Sequence, residues 1–245
     1  MNKKISLGDL RVDKFNEEGL YLIFPNDDCI CVTQNYINNY FKKIWQDSSV
    51  FPSHIKKATD LQLCEHCPGK KSEVEFCVAL RPILPFLEKV DKYVSYDDVT
   101  AVLKTNNPSV ITVRHTDLQN ALRYVSLLSL IKYCETNRRY WSYYFGVSPL
   151  ADVQQALAQI YLNIFWLNKG DKKKTHNAIN IFTKEMRISN ECLLRRLKLI
   201  CKNDAFINAY ANTQMSSEFL SMNGDDILDS AFETHINQLT KLKDQ

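Results

Sequence analysis

Glycine and proline are scarce in this sequence, six and seven among 245 residues, so there is little material for flexible low-complexity linkers. No segment repeats at a fixed period, which argues against a solenoid or propeller. Long apolar runs are lacking too. Stretches such as Tyr21–Phe24 and Leu127–Ile131 fall far short of the roughly 18 residues that span a bilayer, so no membrane segment is expected. The basic start Met1-Asn2-Lys3-Lys4 has a signal-like charge, but Gly8, Asp9, Arg11 and Asp13 interrupt any apolar stretch behind it. A cytoplasmic location is the expectation. Only five histidines occur, and no Gly-rich phosphate loop, Ser elbow or His-Glu-x-x-His is present, so no familiar catalytic class has its local signature. The net charge of +3 comes from interspersed residues of both signs and points to no polyanionic partner.

With 45% hydrophobic and 24% charged residues, the composition is that of a globular protein able to bury a real core. The expected class is α+β, a small N-terminal antiparallel sheet of two hairpins packed on a mostly helical C-terminal half. Residues 1–115 would hold the hairpins and a Cys-rich knot and residues 116–245 the helices, as one continuous body.

Gly19–Phe24 and Cys29–Thr33 flank the turn-rich Pro25-Asn26-Asp27-Asp28 and read as the first hairpin. Ile37, Tyr40, Phe41, Ile44 and Trp45 recur at helical spacing, and Phe51-Pro52-Ser53 ends that unit. Pro82 and Pro85 fit only the first turn of a helix, placed at about residues 82–92. Val99–Thr105 and Val110–His115 are β-branched and alternating, with Asn106-Asn107-Pro108-Ser109 as the turn of a second hairpin that should join the first. Thr116-Asp117-Leu118-Gln119 reads as a capping box that opens a central, largely apolar helix running towards Cys134. Ser148-Pro149 is expected to open a further helix that Gly170 closes. Inside it, Leu150, Val153, Leu157, Ile160, Ile164 and Leu167 form a narrow seam that should pack on another helix, of this chain or of a partner. Shorter helical patterns follow at Ile179–Met186, Leu193–Cys201, Asp204–Tyr210 and Ile227–Leu239, with Phe232 and Ile236 inward.

The most specific chemistry lies in Cys64-x-x-Cys67-Pro68, followed by Cys77. A Cys-x-x-Cys pair in a tight turn grips one tetrahedral ion, and Cys77 after nine intervening residues supplies a third thiolate. In the cytoplasm thiols stay reduced or bind metal. The fourth ligand is open between His66, Cys134 and more distant thiols; Cys134, near the end of the core helix, is preferred. The expected cofactor is structural Zn, with an Fe–S cluster as the lesser alternative. A redox Cys-x-x-Cys ranks last, because Pro68-Gly69-Lys70-Lys71 does not look like the start of a thioredoxin-type helix. Cys29, Cys31, Cys192 and Cys201 read as plain core or strand thiols.

At these residues the chain resembles an uncharacterised bacterial family, a domain of unknown function. The family's pattern is a Pro, then Cys-x-x-Cys-Pro, a third Cys followed by Ala within two residues, a Gln opening a Ser-Leu-Leu helix that ends in Cys, and Asp-Ala-x-x-Asn-Ala. It is matched by Pro52, Cys64, Cys67-Pro68, Cys77-Val78-Ala79, Gln119, Ser126-Leu127-Leu128, Cys134 and Asp204-Ala205-Phe206-Ile207-Asn208-Ala209. The order of the match implies Cys134 as fourth thiolate. Where the family has Gly-Cys-Pro, this chain has Tyr133-Cys134-Glu135, and the family's Phe-His-x-Pro-Phe appears only as Tyr144-Phe145-Gly146-Val147-Ser148-Pro149. The resemblance carries no activity.

For function, the preferred reading is a noncatalytic, metal-stapled scaffold that engages a protein partner or self-associates, through Tyr140, Trp141, Tyr143, Tyr144 and the seam residues Leu150, Leu157 and Ile164. An alternative is nucleic-acid binding by Arg138 and Arg139 with those aromatics, aided by Lys172–Lys174, taken as an interhelical loop, and by Arg195-Arg196 with Lys198. A second alternative is an enzyme or small-ligand sensor at Arg114-His115-Thr116-Asp117, a polar cluster at a strand-to-helix junction; helix capping explains the same residues.

Overall fold

Two hairpins build the sheet, and glycine decides how closely the first one closes. Strand β1 (Gly19–Ile23) pairs antiparallel with β2 (Cys29–Thr33) across a turn in which Asp27 takes a positive φ of 64°. A Cβ on Gly19 would stand 2.5 Å from the Val32 carbonyl oxygen, so any other residue there would push the strands apart. Strands β3 (Asp98–Asn106) and β4 (Ser109–Asp117) form the second hairpin, and β3 adds to β1, giving the order β2-β1-β3-β4, antiparallel throughout. The computed structural model describes residues 15–46, 53–59, 61–68, 77–106 and 109–243, so Pro52 and the turn centre Asn107-Pro108 lie outside the described residues.

Side chains alternate along these strands, as the pleat requires. Leu20 and Leu22 of β1 and Val99, Ala101 and Leu103 of β3 face the main core, whereas Tyr21 and Val102 face the other way and join Phe15 in a small second cluster. Helix α1 (Gln34–Gln46) buries Ile37 and Phe41; the side chains of Ile44 and Trp45 lie outside the described residues. Helix α2 (Ser53–Thr59) follows, and helix α3 (Leu84–Val90) has Pro85 in its first turn, two residues shorter at each end than the sequence suggests.

Helix α4 (Leu118–Leu127) is capped one residue later than the capping box predicts. Strand β4 continues to Asp117, so Thr116 still pairs with Val99, and it is the Asp117 carboxylate that accepts from the Asn120 amide at 2.9 Å. Aspartate is a strong cap and brings a charge suited to the helix N-terminus. The helix does not run straight to Cys134. From Leu128 to Tyr133 it widens into a π-helical turn, and Cys134 leaves it in an extended conformation with ψ 118°. Wide turns of this kind often stand beside functional sites.

A 3₁₀ segment, Arg138–Tyr144, leads to α5 (Val153–Leu167), capped by Asp152. Ser148-Pro149 therefore forms a separate turn ahead of the helix, closed by the Ala151 amide on the Ser148 carbonyl at 2.9 Å. Gly170, φ 79°, ends the helix as expected. Helix α6 (Lys172–Ile200) is a continuous 29-residue helix, and α7 (Ala205–Lys243) runs 39 residues, each merging what the sequence reads as shorter pieces. Lys172–Lys174 are thus the first turn of α6 rather than a loop; the Asp171 carboxylate caps that turn and offsets its charge. The main apolar core contains side chains of the sheet, of α4 and of α5, α6 and α7.

Candidate metal centre

The Cys-x-x-Cys turn is closed by the Cys67 amide donating to the Cys64 carbonyl at 2.9 Å. Cys64 is buried and Cys67 half-buried, while residues 69–76, which link the turn to Cys77, lie outside the described residues. Cys77 and Cys134 are buried as well. The fold brings these four thiols into one neighbourhood: Cys64 feels the charge of Cys77 and Cys134, and each of those two feels the charge of Cys67. Cys192 of α6, read from sequence as a plain core thiol, belongs to the group and faces Cys64 directly.

Two of the sulfurs sit against main-chain N–H groups. The Ala79 amide points at Cys77, and the Thr136 and Asn137 amides point at Cys134, which also has the Ser189 hydroxyl beside it. Amide donors aimed at sulfur favour the thiolate over the thiol. Burial works the other way and prevails: it pushes Cys77 up to about 11, against the pull of the Arg196 guanidinium, and raises Cys64 and Cys134 also. None of the eight cysteines is in a disulfide, and among the described residues no group of three or more His, Cys, Asp or Glu side chains is disposed to hold a metal ion as it stands.

Arg196 is the residue that sequence reasoning misplaced. Read as part of a basic surface with Arg195 and Lys198, it is 1% exposed and has no carboxylate partner among the described residues. Its guanidinium holds the carbonyls of Cys192 (2.9 Å), Leu61 (2.9 Å) and Gln62 (2.7 Å), so one buried charge pins the irregular segment that leads into Cys64 against α6. Its Nε has no partner, and neither do Ser189 Oγ, Asn190 Oδ1 or either side-chain polar atom of Asn137. Buried polar atoms without partners are uncommon, and here they gather on the elements that carry Cys134 and Cys192. The signal that could have found Arg196 is its spacing: Ser189, Cys192, Leu193, Arg196, Leu197 and Ile200 recur at three and four along one buried face of α6. His66, the other sequence candidate for fourth ligand, is exposed and faces Glu185.

The proposed partner-binding residues separate into two groups. Tyr140, Tyr143 and Tyr144 pack edge-on around Phe182 with ring centroids at 5.1, 5.5 and 6.2 Å, and the Tyr140 hydroxyl donates to Glu185 at 2.7 Å. Leu150, Leu157 and Ile164 are also buried in the main core, so the seam takes its neighbours from this chain. Trp141, 57% exposed, and Phe145, 80% exposed, face solvent. Asn163 fixes the backbone beneath them by donating to the carbonyls of Tyr143 (2.9 Å) and Phe145 (2.7 Å). Arg138 and Arg139 already have carboxylate partners, Glu135 and Glu185.

The fold and these thiols define an α+β protein with a cysteine neighbourhood formed between a Cys-x-x-Cys turn and a helical half. The chain belongs to the family described as Domain of unknown function (DUF6901), whose model matches residues 24–236. No curated protein and no solved structure matches it. No helix among the described residues is long and apolar enough to cross a membrane.

Proposed function

We propose that the protein is a noncatalytic scaffold whose Cys64–Cys77 loop is stapled to its helical body by a structural zinc ion on Cys64, Cys67, Cys77 and Cys134. The observation that carries this reading is the meeting of thiols from three separated segments, with main-chain amides aimed at Cys77 and Cys134. A four-thiolate zinc site carries a net charge of about −2. Arg196, buried beside Cys77 with an unused Nε, supplies a counter-charge where water cannot. Metal binding at these thiols would contribute directly to folding. Trp141 and Phe145, fixed on a rigid backbone and facing solvent, are where such a scaffold would meet a protein partner.

Elemental analysis of the purified protein tests the metal: one zinc per chain is expected, lost in Cys64→Ser and in Cys134→Ser and kept in Cys192→Ser. Full retention in both of the first two variants would sink the four-thiolate assignment.

A further inference from the structure

Two arginines face a common cavity whose lining contains no cysteine. The cavity, about 110 Å³, is lined by Arg114 and Thr116 of β4, Asn120 and Arg123 of α4, and the Pro149–Val153 segment that opens α5. It shares no residue with the cysteine neighbourhood. Arg114 is anchored on one side, its Nη1 donating to the Leu150 carbonyl at 2.6 Å, which leaves the rest of its planar fork free. Arg123, half-buried, has no side-chain hydrogen bond or ion pair among the described residues. Its desolvation, and secondarily the like charge of Arg114, pull its pKa below the usual arginine value.

Holding two guanidiniums around one hollow costs free energy that the pair itself does not return. The carboxylate in the lining, Asp152, caps α5 through the Gln154 amide at 2.8 Å, and Asp117 is occupied by Asn120; Asp152 offsets part of the charge at Arg123, but neither carboxylate makes a hydrogen bond or ion pair with it among the described residues. The site keeps a net charge of +1 when Asp152 is counted against the two arginines. Thr116 offers a hydroxyl donor on the same wall.

We infer that the Arg114–Arg123 cavity is a binding site for a small oxyanion, the phosphate or carboxylate group of a small molecule, gripped by both guanidiniums. Planar guanidinium forks match these anions in geometry as well as charge. Size limits the ligand. A water needs about 10–15 Å³ of such space, so 110 Å³ accommodates a compact anionic group with some solvent. The adjoining apolar slit, which shares Arg123 and Val153 and reaches Leu157 and Phe182, offers only about 30 Å³. It has no room for a chain or ring, so the remainder of the ligand points outward through the mouth of the cavity.

Phenylglyoxal footprinting of the wild-type protein, read by peptide mass spectrometry at constant ionic strength, tests the site without requiring any variant to fold. Inorganic phosphate and acetate are used in separate arms, with chloride as the control. At about ten times Kd roughly nine sites in ten are filled, so modification of Arg114 and Arg123 should slow about tenfold while that of Arg138 stays unchanged. Protection by phosphate alone identifies a phosphate-type ligand, and protection by acetate alone a carboxylate. In titration calorimetry Arg123→Gln should abolish the same binding and Arg123→Lys should keep part of it. Equal modification rates with and without both anions, or binding that survives Arg123→Gln, overturn the inference.

Discussion

The Ser129 hydroxyl donates to the main-chain carbonyl of Ala79 at 2.5 Å, joining the π-helical turn before Cys134 to the turn that begins at Cys77. Both residues are buried, so Ser129→Ala would strand the Ala79 carbonyl without water to replace the lost donor. A loss of about 1–3 kcal/mol in urea unfolding is expected. Under the metal proposal the same variant should also bind zinc more weakly, because the two thiols that this hydroxyl holds in register are freed. Unchanged stability would show that the bond is not made in solution.

Arg196→Met keeps the length and apolar body of the side chain and removes the guanidinium. Three carbonyls lose the guanidinium at once: that of Cys192 keeps its helical amide donor, whereas those of Leu61 and Gln62, just ahead of Cys64, lose the bond that ties them to α6. Amide hydrogen exchange should rise sharply over residues 61–67 and little in the sheet, with a cost on the order of 2–4 kcal/mol. Uniform acceleration across the chain would instead mean that Arg196 supports the whole body and has no special tie to the loop.

Periodicity made the sheet and most helices legible. Alternation placed both hairpins within two residues, and Gly170 marked the end of α5. What escaped were decisions made by competition between neighbours. Thr116 is a good cap, but the strand ladder claims it and Asp117 takes the role. Nothing in the composition of Leu128–Tyr133 announces a π turn, in which the Cys134 amide reaches back to the Ser129 carbonyl while the Ser129 hydroxyl is held from outside the segment by the Ala79 carbonyl. At the candidate site, spacing and order single out Cys64, Cys67, Cys77 and Cys134 as candidates. Cys192 and Arg196 are not singled out, because one resembles any core thiol and the other any surface cation until the helix face they share is seen to be buried.

Asp28 holds the first hairpin to the end of α3 through Lys92 Nζ and the Tyr93 hydroxyl, each at 2.7 Å. The Lys92 bond, then that of Tyr93, lowers its carboxyl from 3.8 to about 2. A depressed folded-state pKa gives stability that is fully present above about 3.8 and is lost as pH falls towards 2. The stability difference between wild type and Asp28→Asn should therefore be constant near neutrality, shrink across that window and vanish below it. Part of it should disappear in high salt, since the pair is exposed. A difference that persists unchanged at pH 2 would mean that the carboxylate's charge is not what the asparagine removes.

The α5 seam and the exposed aromatics make opposite predictions under truncation. Ile164 is fully buried in the main core, so Ile164→Ala should leave a cavity and cost about 2–5 kcal/mol in denaturant unfolding. Leu157, 3% exposed, should behave alike. Trp141 is 57% exposed, and Trp141→Ala should change stability by no more than about 0.5 kcal/mol. Its effect is expected in partner capture instead, where a solvent-facing indole on a backbone held by Asn163 makes a large contact at little entropic cost. If Ile164→Ala left the isolated chain as stable as wild type, the seam would have to be reassigned to an interface. If Trp141→Ala destabilised the chain as strongly as the seam variants, the indole would belong to the core, and the surface left to a partner would shrink to Phe145.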